Sequence, residues 1–150
     1  MLDISQADIE RVVPPFYERV RRDADLGPVF AAHVGNWPAH HDLIARFWRR
    51  VLCGEAVYSG SPPRAHRAVS ELRPLHFVKW LSLFRETLRE ELPESRARQW
   101  DAHVHRMAQG LASGLFIDRP EHHAELVEAL EVIRSCTWDG GCSCGGHTSA

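Results

Sequence analysis

From His40 to Leu52 the residues His40, Leu43, Ile44, Phe47, Trp48, Val51 and Leu52 recur at the spacing of one face of an α-helix. No other feature of the chain constrains its fold as tightly. In a strand the neighbours Leu43–Ile44, Phe47–Trp48 and Val51–Leu52 would point to opposite faces, so the run excludes a half-buried strand. Gly54 ends it. The same period returns after Pro74, in Phe77, Trp80, Leu81, Phe84 and Leu88, and again in Trp100, Val104, Met107, Leu111 and Leu115. No segment alternates with period two between hairpin turns. The fold class is therefore all-α, and loops of uneven length favour an irregular helical fold over a regular up-down bundle.

Prolines and glycines punctuate the rest. Ser5 with Asp8 marks a helix N-terminus, an acceptor followed by an acid three residues on. This helix is expected to break at Pro14–Pro15. A second then starts there with Phe16, Tyr17 and Val20 and ends at Gly27–Pro28. Val29, Phe30 and Val34 read as an apolar connector closed by Gly35, residues 55–63 as a loop, and residues 64–69 as a turn or two of helix. Pro93 and Pro120 separate the later helices, and Leu126–Ile133 supports the last. The expected organisation is one domain over residues 1–134 and a flexible Gly/Cys-rich tail over 135–150.

A formal net charge of −2 gives no electrostatic reason for nucleic acid or an anionic membrane as partner. No apolar run nears the roughly 20 residues of a bilayer span. The opening MLDISQADIE lacks the layout of a signal peptide, so a cytoplasmic location is expected. Three of the four cysteines fall in the last fifteen residues. Cys136, Cys142, Cys144 and His147 form a C-x5-C-x-C-x2-H string that suits a thiophilic metal or a disulfide, although its spacing matches no usual zinc motif.

Ten histidines and five tryptophans suit a site that packs flat aromatic surface and ligates metal. His66 follows a long loop between two amphipathic helices that offer Phe47 and Trp48 on one side and Phe77 and Trp80 on the other. That is what an axial imidazole and the walls of a haem pocket require. Tyr17, His40 and Trp80 put polar tips on apolar helical faces, where they need partners. On local pattern alone His66 also reads as a solvated loop histidine, and the other three as core residues bonded to nearby carbonyls.

The ordered set of motifs resembles the group III truncated haemoglobins from about Val12 to about Leu92. FYERVRRDADLGPVF, Phe16 to Phe30, is similar to that family's B helix and following turn. WPAHHDLIARFWRRVLCGEAVYSGSPPRAH, Trp37 to His66, holds the W-x-x-H entry to the E helix, the F-W pair and the Y-x-G-x-P loop leading to a histidine. LRPLHFVKWLSLF, Leu72 to Phe84, resembles the G helix with its tryptophan. The resemblance implies a shortened globin, a two-over-two helical sandwich, to which this chain adds a C-terminal extension after Phe116 that departs from the family's pattern. It implies His66 as proximal ligand of the haem iron, of haem b type. It places the distal ligand-stabilising roles on Tyr17, His40 and Trp80, and Phe30 against the ring. Arg46, Arg64 and Arg67 are offered as partners of the haem propionates, from their nearness to His66 or to the E helix. Pro14–Pro15 stand directly before Phe16–Tyr17 and bear on the aim of the Tyr17 hydroxyl.

The function implied is binding of O2, CO, NO and other small ligands, with peroxide, cyanide and sulfide as further candidates, at a pentacoordinate or weakly hexacoordinate iron. A polar distal pocket suits NO dioxygenase or peroxidase-like chemistry, served by a separate reductase, better than bulk O2 delivery. The competing readings are a non-catalytic helical interaction module, or a ligand sensor without its own output domain, with a metal- or thiol-active tail.

Overall fold

A computed structural model describes residues 2–140. Its regular structure is all helical, with no strand among these residues. The helices are α1 (Gln6–Arg22), α2 (Leu26–His33), α3 (Trp37–Cys53), α4 (Pro62–Arg67), α5 (Pro74–Glu91), α6 (Glu94–Phe116) and α7 (His123–Ser135), with a 3-10 turn at Pro120–His122.

Helix α1 begins at the expected capping box: Ser5 Oγ accepts from the Asp8 amide at 3.2 Å, and Asp8 Oδ2 from the Ser5 amide at 3.1 Å. The expected break at Pro14–Pro15 does not occur, and α1 runs through both prolines. Two interior prolines deprive the carbonyls of Glu10 and Arg11 of their helical donors. Both residues, like Pro14, lie on the exposed side, where water serves instead. Ile9, Val12, Val13, Phe16, Tyr17 and Val20 are all buried along the opposite side. The packing of that continuous stripe outweighs the local preference to break.

The segment expected as a connector is helix α2. Asp23 Oδ2 accepts from the amides of Asp25 (3.0 Å) and Leu26 (2.9 Å), and Pro28 falls in the first turn, where its missing N–H costs nothing. Gly27 stops no helix. It lets α2 cross the end of α1, since a Cβ there would sit 2.7 Å from the Arg21 carbonyl oxygen. Asn36 caps α3 through the Ala39 amide (3.1 Å), and Gly54 closes it at φ 71°, a left-handed value that favours glycine.

Helix α1 packs on α3 and α5, and α5 packs on α6, giving the two-over-two sandwich. Its centre is aromatic: Phe84 lies 4.5 Å from Phe16, 5.5 Å from Trp48 and 5.6 Å from Trp100, centroid to centroid. Helix α7 covers α5 and α6 and buries Leu126, Ala129 and Ile133. The residues just beyond it hold to the same surface. Cys136 is buried, the Arg89 guanidinium lies over the Trp138 ring, and Arg98 grips Asp139 with two bonds of 2.6 and 2.7 Å. Cys142, Cys144 and His147 lie outside the described residues. No helix among the described residues is long and apolar enough to cross a membrane.

Candidate functional site

A cavity of about 320 Å³ lies between α1, α2, α3, α4, α5 and α6, within the roughly 300–1,000 Å³ common for ligand sites. Tyr17, Phe30, His40, Phe47, Trp48, His66, Phe77 and Trp80, all singled out from the sequence, line it together. Arg46, Arg64 and Arg67 do not. Arg46 is drawn back along its own helix to Asp42 (Nε–Oδ2 3.0 Å), Arg67 reaches the Gly114 carbonyl oxygen at 3.5 Å, and Arg64 is exposed outside the cavity. The structure adds His33, Tyr58 and His76 as polar lining residues. Tyr58 belongs to the Y-x-G-x-P string and could have been found from it. His33 and His76 carry no local signal and reach the cavity only because α2 and the start of α5 meet there.

His66 stands on the short helix α4, which Ser61 caps through the Arg64 amide at 3.4 Å. Its Nδ1 lies 2.6 Å from the Pro62 carbonyl oxygen. A carbonyl can only accept, so Nδ1 carries the proton and Nε2 keeps its lone pair, the tautomer a metal-ligating imidazole needs. The Phe77 ring lies 5.9 Å from the imidazole and helps fix its plane.

Tyr17, His40 and Trp80 form a second group on the cavity wall. The Tyr17 ring meets His40 edge-on at 4.9 Å and stacks on His41 at 5.6 Å. Among the described residues neither the Tyr17 hydroxyl nor the Trp80 indole N–H has a hydrogen-bond partner, and His40 Nε2 is buried without one. Burial pushes the Tyr17 phenol well above its ordinary pKa, so it stays a neutral donor. Burial, then the neighbouring His41, pushes His40 down to about 4, so it is a neutral imidazole near pH 7. Donors without protein partners on an apolar wall are arranged to hold something that enters the cavity.

These features fit a haem. The free Nε2 lone pair of His66, the apolar and aromatic lining, and the partnerless donors are what an iron porphyrin asks of its protein.

The fold and site together define a globin-type haem protein. The Group 3 truncated hemoglobin ctb of Campylobacter jejuni subsp. jejuni is 38% identical over 89 residues, 57% of this chain and 70% of the relative. The crystal structure of the group III truncated hemoglobin from Campylobacter jejuni matches with a TM-score of 0.73 at 31% identity, covering 77% of this chain and 96% of that one. No family model matches the chain. The chain belongs to the group III truncated haemoglobins.

Proposed function

We propose that this protein holds one haem through His66 Nε2 and stabilises small ligands, O2, CO and NO among them, with Tyr17, His40 and Trp80. The haem supplies the iron at which such ligands bind and are oxidised or reduced. One observation carries the reading: an imidazole whose Nδ1–H is committed to the Pro62 carbonyl lines the same cavity as the Tyr17 hydroxyl, the Trp80 indole N–H and His40 Nε2, none of them hydrogen-bonded among the described residues.

The chain's own residues set the selectivity. Tyr17 and Trp80 favour ligands that carry partial negative charge. His40, neutral near pH 7, stands at the start of α3 and guards the edge of the cavity. Charge-assisted hydrogen bonds are worth about 1.5–3 kcal/mol each. Two of them retain a polarised ligand about 10²-fold to 10⁴-fold, at 1.4 kcal/mol per decade. Retention of that size opposes bulk O2 delivery and suits NO/O2 or peroxide chemistry, with an electron supply from a separate protein. The haem is read as the b type, because the described residues near His66 offer no cysteine for a covalent link.

Optical spectra of the ferric, ferrous and CO forms of wild type and His66→Ala test this assignment. The expected result is a stoichiometric Soret band in wild type that is lost or strongly shifted in His66→Ala. A colourless wild-type protein that takes up no hemin, or identical spectra for the two, would overturn it.

A further inference from the structure

The cations of this chain are unevenly placed. Residues 43–53, 57–70 and 102–117 contain Arg46, Arg49, Arg50, Arg64, Arg67 and Arg106 and no aspartate or glutamate, in a chain whose formal net charge is −2. The fold assembles these three stretches, from α3, α4 with its preceding loop, and α6, around a shallow groove. The groove floor is apolar, and Arg106 and His103 stand on its wall. Arg67 reaches Gly114 O at 3.5 Å, one turn beyond the lining residue Gly110. Arg50 stands one helical turn after the lining residue Phe47, and Arg64 follows the lining residue Pro63. Arg50, Arg64, Arg67 and Arg106 are all exposed. Asp42 and Glu55, which flank the α3 stretch, are engaged with Arg46 (3.0 Å) and Arg49 (2.6 Å).

The groove is also thinly separated from the cavity. Phe47, Pro62, Met107 and Leu111 line both, and the Pro62 carbonyl is the group that orients His66. An apolar floor with a cationic rim, one layer of side chains from the cavity, suits a protein with an acidic patch around an apolar contact.

We propose that this α3/α4/α6 face docks an acidic electron-donor protein. The donor's identity as a reductant rests on the haem reading above, whereas the docking itself rests on charge and shape alone. In the step it serves, the donor loses one electron and the ferric iron gains it, and no bond forms or breaks. Coulomb attraction of this kind acts over about 30 Å at 0.01 M salt and about 3 Å at 1 M, so it accelerates encounter at low ionic strength and fades at high.

A plant-type [2Fe–2S] ferredoxin serves as the acidic one-electron probe. The oxidised probe is titrated into 15N-labelled holoprotein in its CO form, and the reduced probe is mixed with the ferric form in stopped flow. The expected shifts gather at Val51, Arg64 and Gly110. The binding constant and the reduction rate should fall at least about tenfold from 0.01 M to 0.5 M salt. Arg50→Glu/Arg106→Glu should lose at least about tenfold in both at low salt, and Arg50→Gln/Arg106→Gln an intermediate amount. Arg22→Glu/Arg134→Glu, with the same change of net charge elsewhere, should lose less than about threefold.

Equal losses in the two double variants, or shifts scattered over the surface, would overturn the proposal. So would faster hemin transfer to apomyoglobin from the Arg50/Arg106 variants alone, which would assign these cations to the haem carboxylates. Shifts that depend on the holoprotein's own concentration would assign the face to a second copy of the chain. If the haem reading fails, the Soret band is absent, yet the charge-dependent binding of the probe is still measured on the same protein.

Discussion

Replacing Lys79 by methionine removes the cation that ties α5 to the turn between α1 and α2. Lys79 Nζ lies 3.0 Å from Asp23 Oδ1 and 3.4 Å from Asp25 Oδ2. The Lys79 and Asp23 side chains are only 11% and 10% exposed. Losing one partner of a buried pair costs about 3–5 kcal/mol, because the other charge stays buried and unpaired. Asp23 would keep the amides of Asp25 and Leu26, and Asp25 is largely in water, so the expected loss is about 2–3 kcal/mol. For a chain of this size that is about 4–12 °C in Tm. Burial raises the Asp23 carboxyl, but the Leu26 amide, Lys79 and the Asp25 amide outweigh it and hold the group below its ordinary pKa. Its contribution is therefore complete above the unfolded carboxylate value, near about 3.9, and is lost as pH falls through the lower folded value. The assay is urea unfolding of the CO holoprotein at pH 7 and fixed hemin, in a cycle with Asp23→Asn. The coupling between the two substitutions should exceed about 1 kcal/mol. A Lys79→Met protein within about 0.5 kcal/mol of wild type, or additive effects in the cycle, would refute the argument.

Four further outcomes are expected. Tyr17→Phe should speed O2 dissociation from the holoprotein about 10-fold to 150-fold, the loss of one donor worth about 1.5–3 kcal/mol; an unchanged rate in stopped flow would mean that the hydroxyl does not touch the ligand. Gly27→Ala should lose about 1–3 kcal/mol in thermal unfolding, since its Cβ meets the Arg21 carbonyl oxygen at 2.7 Å. Asp101→Asn should lose about 3 kcal/mol, because Asp101 Oδ1 accepts from Arg85 Nε at 2.6 Å and both side chains are 6% exposed. His40, pushed down to about 4, costs stability as pH falls below its unfolded value of about 6.5, and that loss is complete near pH 4. His40→Leu should flatten that part of the Tm profile, and an unaltered profile would show that His40 does not titrate as buried.

The sequence by itself determined the helical class, the ends of α3 and α5, and eight of the residues that line the cavity. Those readings rest on local rules: the period of apolar residues from His40 to Leu52, Pro74 at a first turn, Gly54 at a left-handed cap, and an ordered string of aromatic residues and histidines. Tertiary structure decided what local rules cannot weigh. Pro14–Pro15 read as a break and Gly27–Pro28 as an end, yet α1 runs through the first pair and α2 begins at the second. The buried stripe from Ile9 to Val20 and the crossing of α2 over the Arg21 carbonyl are contacts between segments, and they outweigh propensity. The same holds at the site. Which polar groups face the cavity, His33 and His76 among them and the three arginines not, depends on how helices distant in sequence meet. The tautomer of His66 depends on which ring nitrogen meets the Pro62 carbonyl one turn away, a contact that only the structure shows.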